Sequence, residues 1–168
     1  FQMDSLRERD YTYPKALVKD NWPVSGGANE FLSFIKNELS TYIDKTYRTD
    51  ILKRTLMGHS LGGYFTLYAL LSDIKEKQFF FNNYVSASPS LEYGDKYLLK
   101  QFKNNGGGAN NSATVFLTDG EGEDREEGGT TTEGLDDFND LVKQLSEGKY
   151  KNIKLKSKIF LKLGHMAT

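Results

Sequence analysis

The sequence predicts an α/β fold with a mostly parallel sheet flanked by helices. Short apolar runs of strand length alternate with longer segments in which apolar residues recur every three or four positions. This alternation is typical of β-α-β units, because parallel strands need a crossover between them. The chain has 168 residues, of which 38% are hydrophobic. We therefore expect residues 1–168 to form a single domain with a substantial core.

The elements begin after a long N-terminal connection. The first 27 residues carry Pro14, Pro23, Gly26 and Gly27 and are predicted to be irregular. Seven apolar residues at spacings of three and four then indicate an amphipathic helix over 28–47. These residues are Phe31, Leu32, Ile35, Leu39, Tyr42, Ile43 and Tyr47.

The rest of the chain alternates between strands and helices. Strands are predicted at 54–58, 84–87, 113–118 and 153–163, and helices at 61–71, 96–102 and 133–147. Gly106–Gly108 with Asn110 and Asn111 is predicted to be a loop. Thr130 and Glu133 have the spacing of a capping box, and Gly148 lies where a C-cap is expected.

Composition excludes several classes of protein. A net charge of −1 argues against a nucleic-acid binder that works through a basic surface. Because the chain has no cysteine, disulfide scaffolds, thiolate zinc sites and cysteine nucleophiles are excluded. No apolar run is long enough to cross a bilayer, and no P-loop or G-x-G-x-x-G motif suggests a nucleotide cofactor.

The clearest chemical motif is Gly-His-Ser-Leu-Gly at 58–62, which fits the pattern G-x-S-x-G. It lies between a predicted strand and a predicted helix, as a nucleophile elbow does. A serine on this strained turn needs small neighbours, so we expect Gly58 and Gly62 to provide clearance and Gly63 to allow close helix packing. The alternative is a glycine-rich turn with an incidental serine. The context favours Ser60 as a nucleophile.

A serine nucleophile needs a base, and the chain has two histidines. His59 adjoins Ser60 and cannot easily turn back onto its hydroxyl, so we expect it to pack or hydrogen-bond locally. His165 follows the last predicted strand, in the Ser…acid…His order of α/β hydrolases. The alternative for His165 is a residue of a disordered chain end. The N–H of Leu61, at the helix N-terminus, is predicted to face the developing oxyanion.

A carboxylate that orients the base is expected on the loop after strand 113–118. Spacing alone does not choose among the four acidic residues there, which are Asp119, Glu121, Glu123 and Asp124. The same loop does not match the EF-hand pattern, so we predict no metal site.

Candidate substrate contacts are Arg9, His59 and Tyr93. Arg9 lies in a segment expected to run along the carboxyl edge of the sheet, where the sites of open α/β folds lie. A structural salt bridge with Asp10 is the competing interpretation for Arg9. Tyr93 is one of several aromatic residues that could line an acyl pocket, although the ten tyrosines and eleven phenylalanines make this weak evidence.

Several ordered motifs together resemble an esterase family of the α/β hydrolases. This family includes esterase D and the trilactone siderophore esterases that act on enterobactin, salmochelin and bacillibactin. The matching segments are Arg7–Thr12, Ser25–Ala28 with Phe31 and Leu32, Tyr47–Asp50, Met57–Gly63, Ala87–Ser90 and Gly164–His165. The likeness covers most of the chain and is more specific than the elbow alone.

The resemblance implies Ser60 as nucleophile, His165 as base and the Leu61 N–H as one oxyanion donor. It aligns the acid most naturally with Glu123, although some siderophore-esterase relatives work with a Ser-His dyad. The sequence departs from the family after Ser90, because Glu92 and Tyr93 stand where bulky aromatics, often tryptophans, are common.

These residues predict a serine hydrolase that cleaves carboxylic esters of small molecules through an acyl-enzyme intermediate, with no cofactor. An acyltransferase or a thioesterase on the same scaffold are the alternative enzymes. A non-catalytic binding module with a retained elbow is the alternative from another class.

The resemblance also implies that the chain is the C-terminal part of a larger hydrolase domain. The family's N-terminal strands, its loop with the second oxyanion donor and the helix after the histidine have no counterpart in the sequence. We expect residues 1–168 not to fold as an isolated monomer, since half a parallel sheet leaves an unpaired edge and an uncovered face.

Overall fold

The computed structural model describes residues 4–17, 22–122 and 132–165, which form one four-stranded parallel sheet with helices packed on it. The strands are β1 (Thr55–His59), β2 (Asn83–Ala87), β3 (Gly107–Gly120) and β4 (Tyr150–Phe160). They lie side by side in the order β1-β2-β3-β4, and every neighbouring pair is parallel. The predicted α/β class with a mostly parallel sheet is confirmed.

In the described part of the chain, six α-helices precede or connect the strands. They are α1 (Asp4–Tyr11), α2 (Ala28–Phe34), α3 (Ser40–Thr46), α4 (Leu61–Glu76), α5 (Tyr93–Asn104) and α6 (Glu133–Ser146). A π-helical turn, Ile35–Leu39, joins α2 to α3. Among the described residues, no helix has both the length and the apolar character needed to cross a bilayer.

The N-terminal elements differ from the prediction in two ways. Residues 4–11 form α1, although an irregular segment was expected, because the prolines and glycines that suggested irregular structure all lie beyond Tyr11. The helix predicted over 28–47 is present, but a π turn interrupts it. Such a turn adds one residue, which rotates the following positions by about 100°. The apolar side chains of Tyr42 and Tyr47 are consequently exposed.

The ends of the last two strands also differ from the prediction. β3 starts at Gly107, because the segment that was predicted to be a loop pairs with β4 around an irregularity between Gly108 and Ala113. β4 ends at Phe160, four positions before Gly164, since residues 161 and 162 form a turn. The C-cap glycine is confirmed by its left-handed backbone, with φ of 73° at Gly148. Thr130 lies outside the described residues, and the residue before α6 is Thr132.

The core lies between the sheet and the helices that connect its strands. Right-handed crossovers between strands in sequential order place α4, α5 and α6 on the same face of the sheet. α4 is the central helix, and Leu67, Leu70 and Leu71 on it are at most 1% exposed. The largest fully buried side chains of the core include Tyr64, Tyr84, Phe102, Phe138, Leu117 and Leu141.

The opposite face of the sheet carries an apolar row that no described helix covers. Residues paired across parallel strands share a face, and the row Met57, Val85, Phe116 and Lys156 runs across all four strands. Met57 is 75% exposed. A shallow groove of about 370 Å³ lies over Val85 and Phe116. The described sheet thus has the open face that was expected, while the folding of residues 1–168 alone stays a prediction.

A buried ionic cluster fastens the far end of α4 to the rest of the fold. Asp73 is fully buried, and its carboxylate lies 2.5 Å from the ammonium of Lys36, in the π turn. The same carboxylate accepts hydrogen bonds from the Tyr84 hydroxyl and, at 2.8 Å, from the Phe80 N–H. Burial raises the pKa of Asp73, and the bonds from Lys36 and Tyr84 act against that rise. The cluster joins α4, β2 and the π turn.

Removing one donor from this cluster should destabilise the protein measurably. Burial raises the pKa of Tyr84, so the phenol stays protonated and donates to the carboxylate. We expect Tyr84→Phe to lower the free energy of unfolding by about 2 kcal/mol, because a buried bond to a charged group is lost with little change in volume. Urea denaturation measures this. Asn83→Ala, at the half-buried start of the same strand, is the control, because it removes only a solvent-exposed hydrogen bond to the Thr55 hydroxyl. Equal losses in both variants would contradict the role of Asp73.

Candidate active site

The predicted catalytic residues follow different strands at one edge of the sheet. Ser60 follows β1 and His165 lies beyond the end of β4, while Asp119 belongs to the last residues of β3 and Glu121 directly follows that strand. In a parallel sheet the carboxyl ends of all strands meet at the same edge, which is where open α/β folds bind ligands. The topology therefore places the predicted nucleophile, the predicted base and two of the candidate acids along one edge.

Ser60 stands on a tight turn between β1 and α4. Its backbone angles are φ 59° and ψ −122°, a strained conformation for a residue with a side chain. The turn is held by the Ser60 N–H, which donates to the Ala87 carbonyl at 3.0 Å, and by the Ser60 carbonyl, which accepts from the Tyr64 N–H at 2.9 Å. This is the strand-turn-helix context that a nucleophile elbow requires.

The three glycines of the motif contribute differently to this turn. A Cβ at Gly58 would lie 2.0 Å from the Gly62 carbonyl oxygen, so no side chain fits there. A Cβ at Gly63 would lie 2.8 Å from the Ala87 carbonyl oxygen, so the predicted close packing of α4 on β2 is confirmed. The prediction for Gly62 is wrong, because a Cβ there would meet nothing within 4 Å. Gly62 contributes through its carbonyl group, whose close approach excludes a side chain at Gly58.

Leu61 is the first residue of α4 and is 5% exposed. Its N–H belongs to the first turn, whose amide groups have no acceptor within their own helix. The positive end of the helix dipole lies at the same place. An anion that forms next to Ser60 would therefore meet a favourable electrostatic environment.

Ser90 is the neighbour of the Ser60 side chain, and the sequence did not single it out as a functional residue. The two hydroxyl oxygens are 3.5 Å apart, and the Ser90 N–H donates to the Ser60 carbonyl at 3.3 Å. Ser90 belongs to the segment Ala87–Ser90, which carries part of the family resemblance. That motif was the available signal, although it did not indicate a contact with the nucleophile.

His165 and His59 are in direct contact. Their ring centroids are 4.6 Å apart with the planes tilted by 47°, and His59 Nε2 lies 2.6 Å from the His165 carbonyl oxygen. His59 therefore hydrogen-bonds as predicted, but its partner is 106 positions away in the sequence rather than local. The contact brings His165 beside the residue that precedes Ser60.

The acidic loop after β3 runs next to the segment that carries His165. The Glu121 N–H donates to the Phe160 carbonyl at 3.1 Å, and the Gly122 N–H donates to the Leu163 carbonyl at 2.9 Å. Asp119 is 6% exposed, and its carboxylate accepts from the Gly120 N–H at 2.8 Å. Glu123 and Asp124 lie outside the described residues.

Arg9 lines a groove beside the N-terminal half of α4. Its side chain is half-exposed and forms an ion pair with Asp10 at 2.7 Å, as the structural interpretation of this pair requires. The groove has a volume of about 670 Å³ and includes the aromatic rings of Phe31 and Phe34. Phe31 contacts Phe65, in the second turn of α4, with ring centroids 5.2 Å apart. The Arg9 guanidinium is thus paired with Asp10 in a groove that also contains Glu30, and its contact with substrate stays a prediction.

Tyr93 is buried in the core. It is 3% exposed, and its hydroxyl donates to the Pro14 carbonyl at 2.9 Å. Its ring contacts Trp22 and Tyr64, with centroid distances of 5.4 and 5.2 Å. The structure gives Tyr93 a packing role, which does not favour the predicted contact with substrate.

Within residues 4–17, 22–122 and 132–165, no three histidine, aspartate or glutamate side chains are grouped so that they could hold an ion. The site is composed of hydroxyl, imidazole and carboxylate groups beside a helix N-terminus. This set of groups suits nucleophilic and acid–base chemistry.

A comparison with protein families gives a match over most of the chain. A family model described as "Putative esterase" matches residues 3–140. The chain belongs to this esterase family. The fold agrees with that membership, since the structural relatives are α/β hydrolases, and the resemblance stated from the sequence motifs is confirmed.

Two curated relatives are siderophore esterases by name. The chain is 38% identical over 104 residues to the ferri-bacillibactin esterase BesA of Bacillus subtilis, a match that covers 58% of this chain and 35% of the relative. It is 36% identical over 77 residues to the apo-salmochelin esterase of Escherichia coli O6:H1, which covers 46% of this chain and 23% of the relative.

The solved structure of the BES protein from Bacillus cereus has the same fold. It aligns with a TM-score of 0.79 at 30% sequence identity, covering 97% of this chain and 58% of that one. The chain therefore spans less than two thirds of the length of these relatives.

Proposed function

We propose that the protein is a serine hydrolase that cleaves carboxylic esters through an acyl-enzyme intermediate. The observation that carries this proposal is the strained turn at Ser60, with φ of 59°, at the N-terminus of α4. Membership of the esterase family supports it, as do the names of the relatives. A polar residue held in a strained conformation is typical of active sites.

In the first half of the proposed reaction, His165 accepts the proton of the Ser60 hydroxyl as its oxygen attacks the ester carbonyl. The Leu61 N–H donates to the oxyanion that forms. The bond to the alcohol then breaks, and His165 returns the proton to the leaving alcohol oxygen. The product on the enzyme is an ester of Ser60 with the acyl group.

In the second half, water attacks the acyl-enzyme and His165 takes its proton. Collapse of the second oxyanion breaks the bond to Ser60, whose oxygen regains a proton from His165. The atoms balance as ester plus water to acid plus alcohol. Neither step needs a metal ion or an organic cofactor.

We assign the orienting acid to Glu123, as the family resemblance implies. The supporting observation is that the N–H of Gly122, the residue before Glu123, donates to the carbonyl of Leu163, two positions before His165. The described alternatives are Asp119, in the last residues of β3, and Glu121, directly after that strand, and Asp124 is the remaining one. A carboxylate there would hold the imidazole of His165 in the tautomer that can accept the serine proton.

The proposed substrates are siderophore-like esters with an aromatic or anionic acyl part. The relatives named as bacillibactin and salmochelin esterases support this class. The two phenylalanine rings of the groove offer apolar surface for an aromatic part, while Arg9 would have to exchange its ion pair with Asp10 to bind an anionic part. Glu92 and Tyr93 mark where the sequence departs from the family pattern, and Tyr93 is buried in the core.

An activity-based probe tests the reaction class. The protein is treated with a fluorophosphonate, and the modified peptide is identified by mass spectrometry. We expect the label on Ser60 and none on the Ser60→Ala variant, while Ser90→Ala, which removes only the neighbouring hydroxyl, should still be labelled at Ser60. A folded protein that takes no label, or takes it elsewhere, would contradict the proposal and favour a non-catalytic binding module.

A further inference from the structure

The side chain of His59 donates a hydrogen bond to the main chain of His165. A carbonyl oxygen can only accept, so at 2.6 Å the Nε2 atom of His59 carries the proton. This assigns the proton to Nε2 in the neutral ring, and the doubly protonated ring keeps the same donor. The bond therefore exists in either protonation state of His59.

This bond joins the end of β1, next to Ser60, to the segment after β4 that carries His165. His59 is the last residue of β1, directly before Ser60, and His165 follows a turn after β4. Within that turn Lys162 has φ of 61°, so the chain reverses sharply before it reaches the histidine. The strands concerned are the first and the last of the sheet, with β2 and β3 between them. β1 and β4 do not pair with each other, so no ladder hydrogen bond joins their ends directly.

The rings reinforce the main-chain bond. The His59 and His165 centroids are 4.6 Å apart, within the usual range for aromatic pairs. One side chain thus contacts both the backbone and the imidazole of the base. Its backbone is fixed in the register of β1, where His59 pairs with Ala87, whose carbonyl also accepts from the Ser60 N–H.

We propose that His59 is a positioning residue, which holds His165 at the place where its imidazole can take the proton of Ser60. The inference rests on the proposed function of Ser60 and His165. It assigns His59 a different role from the substrate contact expected from the sequence. Proton transfer requires donor and acceptor within hydrogen-bond reach, so a small displacement of the base costs much of the rate.

Two substitutions separate the hydrogen bond from the ring contact. His59→Phe keeps an aromatic ring of similar size but has no donor, whereas His59→Gln keeps an N–H donor with similar reach and loses the ring. Hydrolysis of p-nitrophenyl acetate gives kcat and KM for each. We expect His59→Phe to lower kcat by about 10- to 100-fold with KM changed less than about threefold, as for a misplaced catalytic group.

The conservative variant is the decisive comparison. His59→Gln should keep a kcat at least about fivefold above that of His59→Phe, because one hydrogen bond is worth roughly 1 kcal/mol. Equal losses in both variants, or a His59→Phe enzyme with wild-type kcat, would overturn the positioning role. A change confined to KM would overturn it as well, since it would indicate a substrate contact.

Hydrogen exchange provides a readout that does not depend on activity. In the wild-type protein and in both variants, amide exchange is measured in the peptide that contains residues 161–165. We expect faster exchange in His59→Phe than in His59→Gln, because the loop loses its anchor. If wild-type protein takes no fluorophosphonate label, the proposed function fails. If the wild-type protein is labelled at Ser60 and hydrolyses the ester, but His59→Phe has the same exchange rate and kcat as wild type, this inference alone fails.

Discussion

Replacing His165 with alanine is expected to reduce kcat for ester hydrolysis by about 10³-fold or more. The proposed mechanism uses this imidazole in both half-reactions, first as base and then as acid. The other histidine, His59, has its Nε2 bonded to the His165 carbonyl and adjoins the nucleophile. No second imidazole is therefore placed to substitute. The loss is measured by steady-state hydrolysis of p-nitrophenyl acetate and by the rate of fluorophosphonate labelling of Ser60.

The matched control for this prediction lies in the same loop. Leu163 is 36% exposed, and the contact it makes with Gly122 goes through its carbonyl, which Leu163→Ala retains. We expect that variant to keep kcat within about threefold of wild type, since an exposed apolar side chain contributes little. A His165→Ala enzyme that stays within tenfold of wild type while folded would mean that another group is the base.

Gly58→Ala is expected to prevent normal folding of the elbow. The added Cβ would lie 2.0 Å from the Gly62 carbonyl oxygen and 2.2 Å from its carbonyl carbon, so main-chain atoms would have to move. Because β1 is held by its pairing with β2 and α4 by core packing, we expect the free energy of unfolding to fall by more than about 3 kcal/mol. Urea denaturation followed by circular dichroism measures the loss.

Gly62→Ala is the control, because it adds the same methyl group at the other side of this contact. Its Cβ would point into open space, and alanine is favoured over glycine within a helix. We expect a change in stability of less than about 1 kcal/mol in either direction. If Gly58→Ala is as stable as Gly62→Ala, the close approach of the two backbones does not constrain the turn.

The sequence was most informative where one residue type is imposed by sterics. Gly58 and Gly63 could be predicted because a strand-turn-helix elbow leaves no room for a Cβ at those positions. The four strands were visible because three of them carry short apolar runs and the last has apolar residues at alternate positions. α1 was missed, since residues 4–11 have little apolar character and the helix is held by contacts elsewhere, including the Gly27 N–H on the Arg9 carbonyl.

The parts of the site that could not be predicted are contacts between residues that are far apart in the sequence. The order of Ser60 and His165 along the chain indicated their places at the sheet edge, and the structure puts both there. Neither the bond from His59 to the His165 carbonyl nor the approach of Ser90 to Ser60 leaves a trace in spacing or composition. Both are made between residues brought together by strand order. The identity of the acid also depends on such a contact and stays a prediction.

Main-chain hydrogen bonds connect the carboxyl ends of neighbouring strands around Ser60, and they limit which parts of this site can change during evolution. The Ser60 N–H donates to the Ala87 carbonyl, the Ser88 N–H to the Thr118 carbonyl and the Glu121 N–H to the Phe160 carbonyl. Any residue except proline can make these bonds, because they involve no side chain. Exposed side chains at this edge can thus change by single substitutions while the backbone path around Ser60 is kept. Ser88 is an exception, because it is 1% exposed and has φ of 42°.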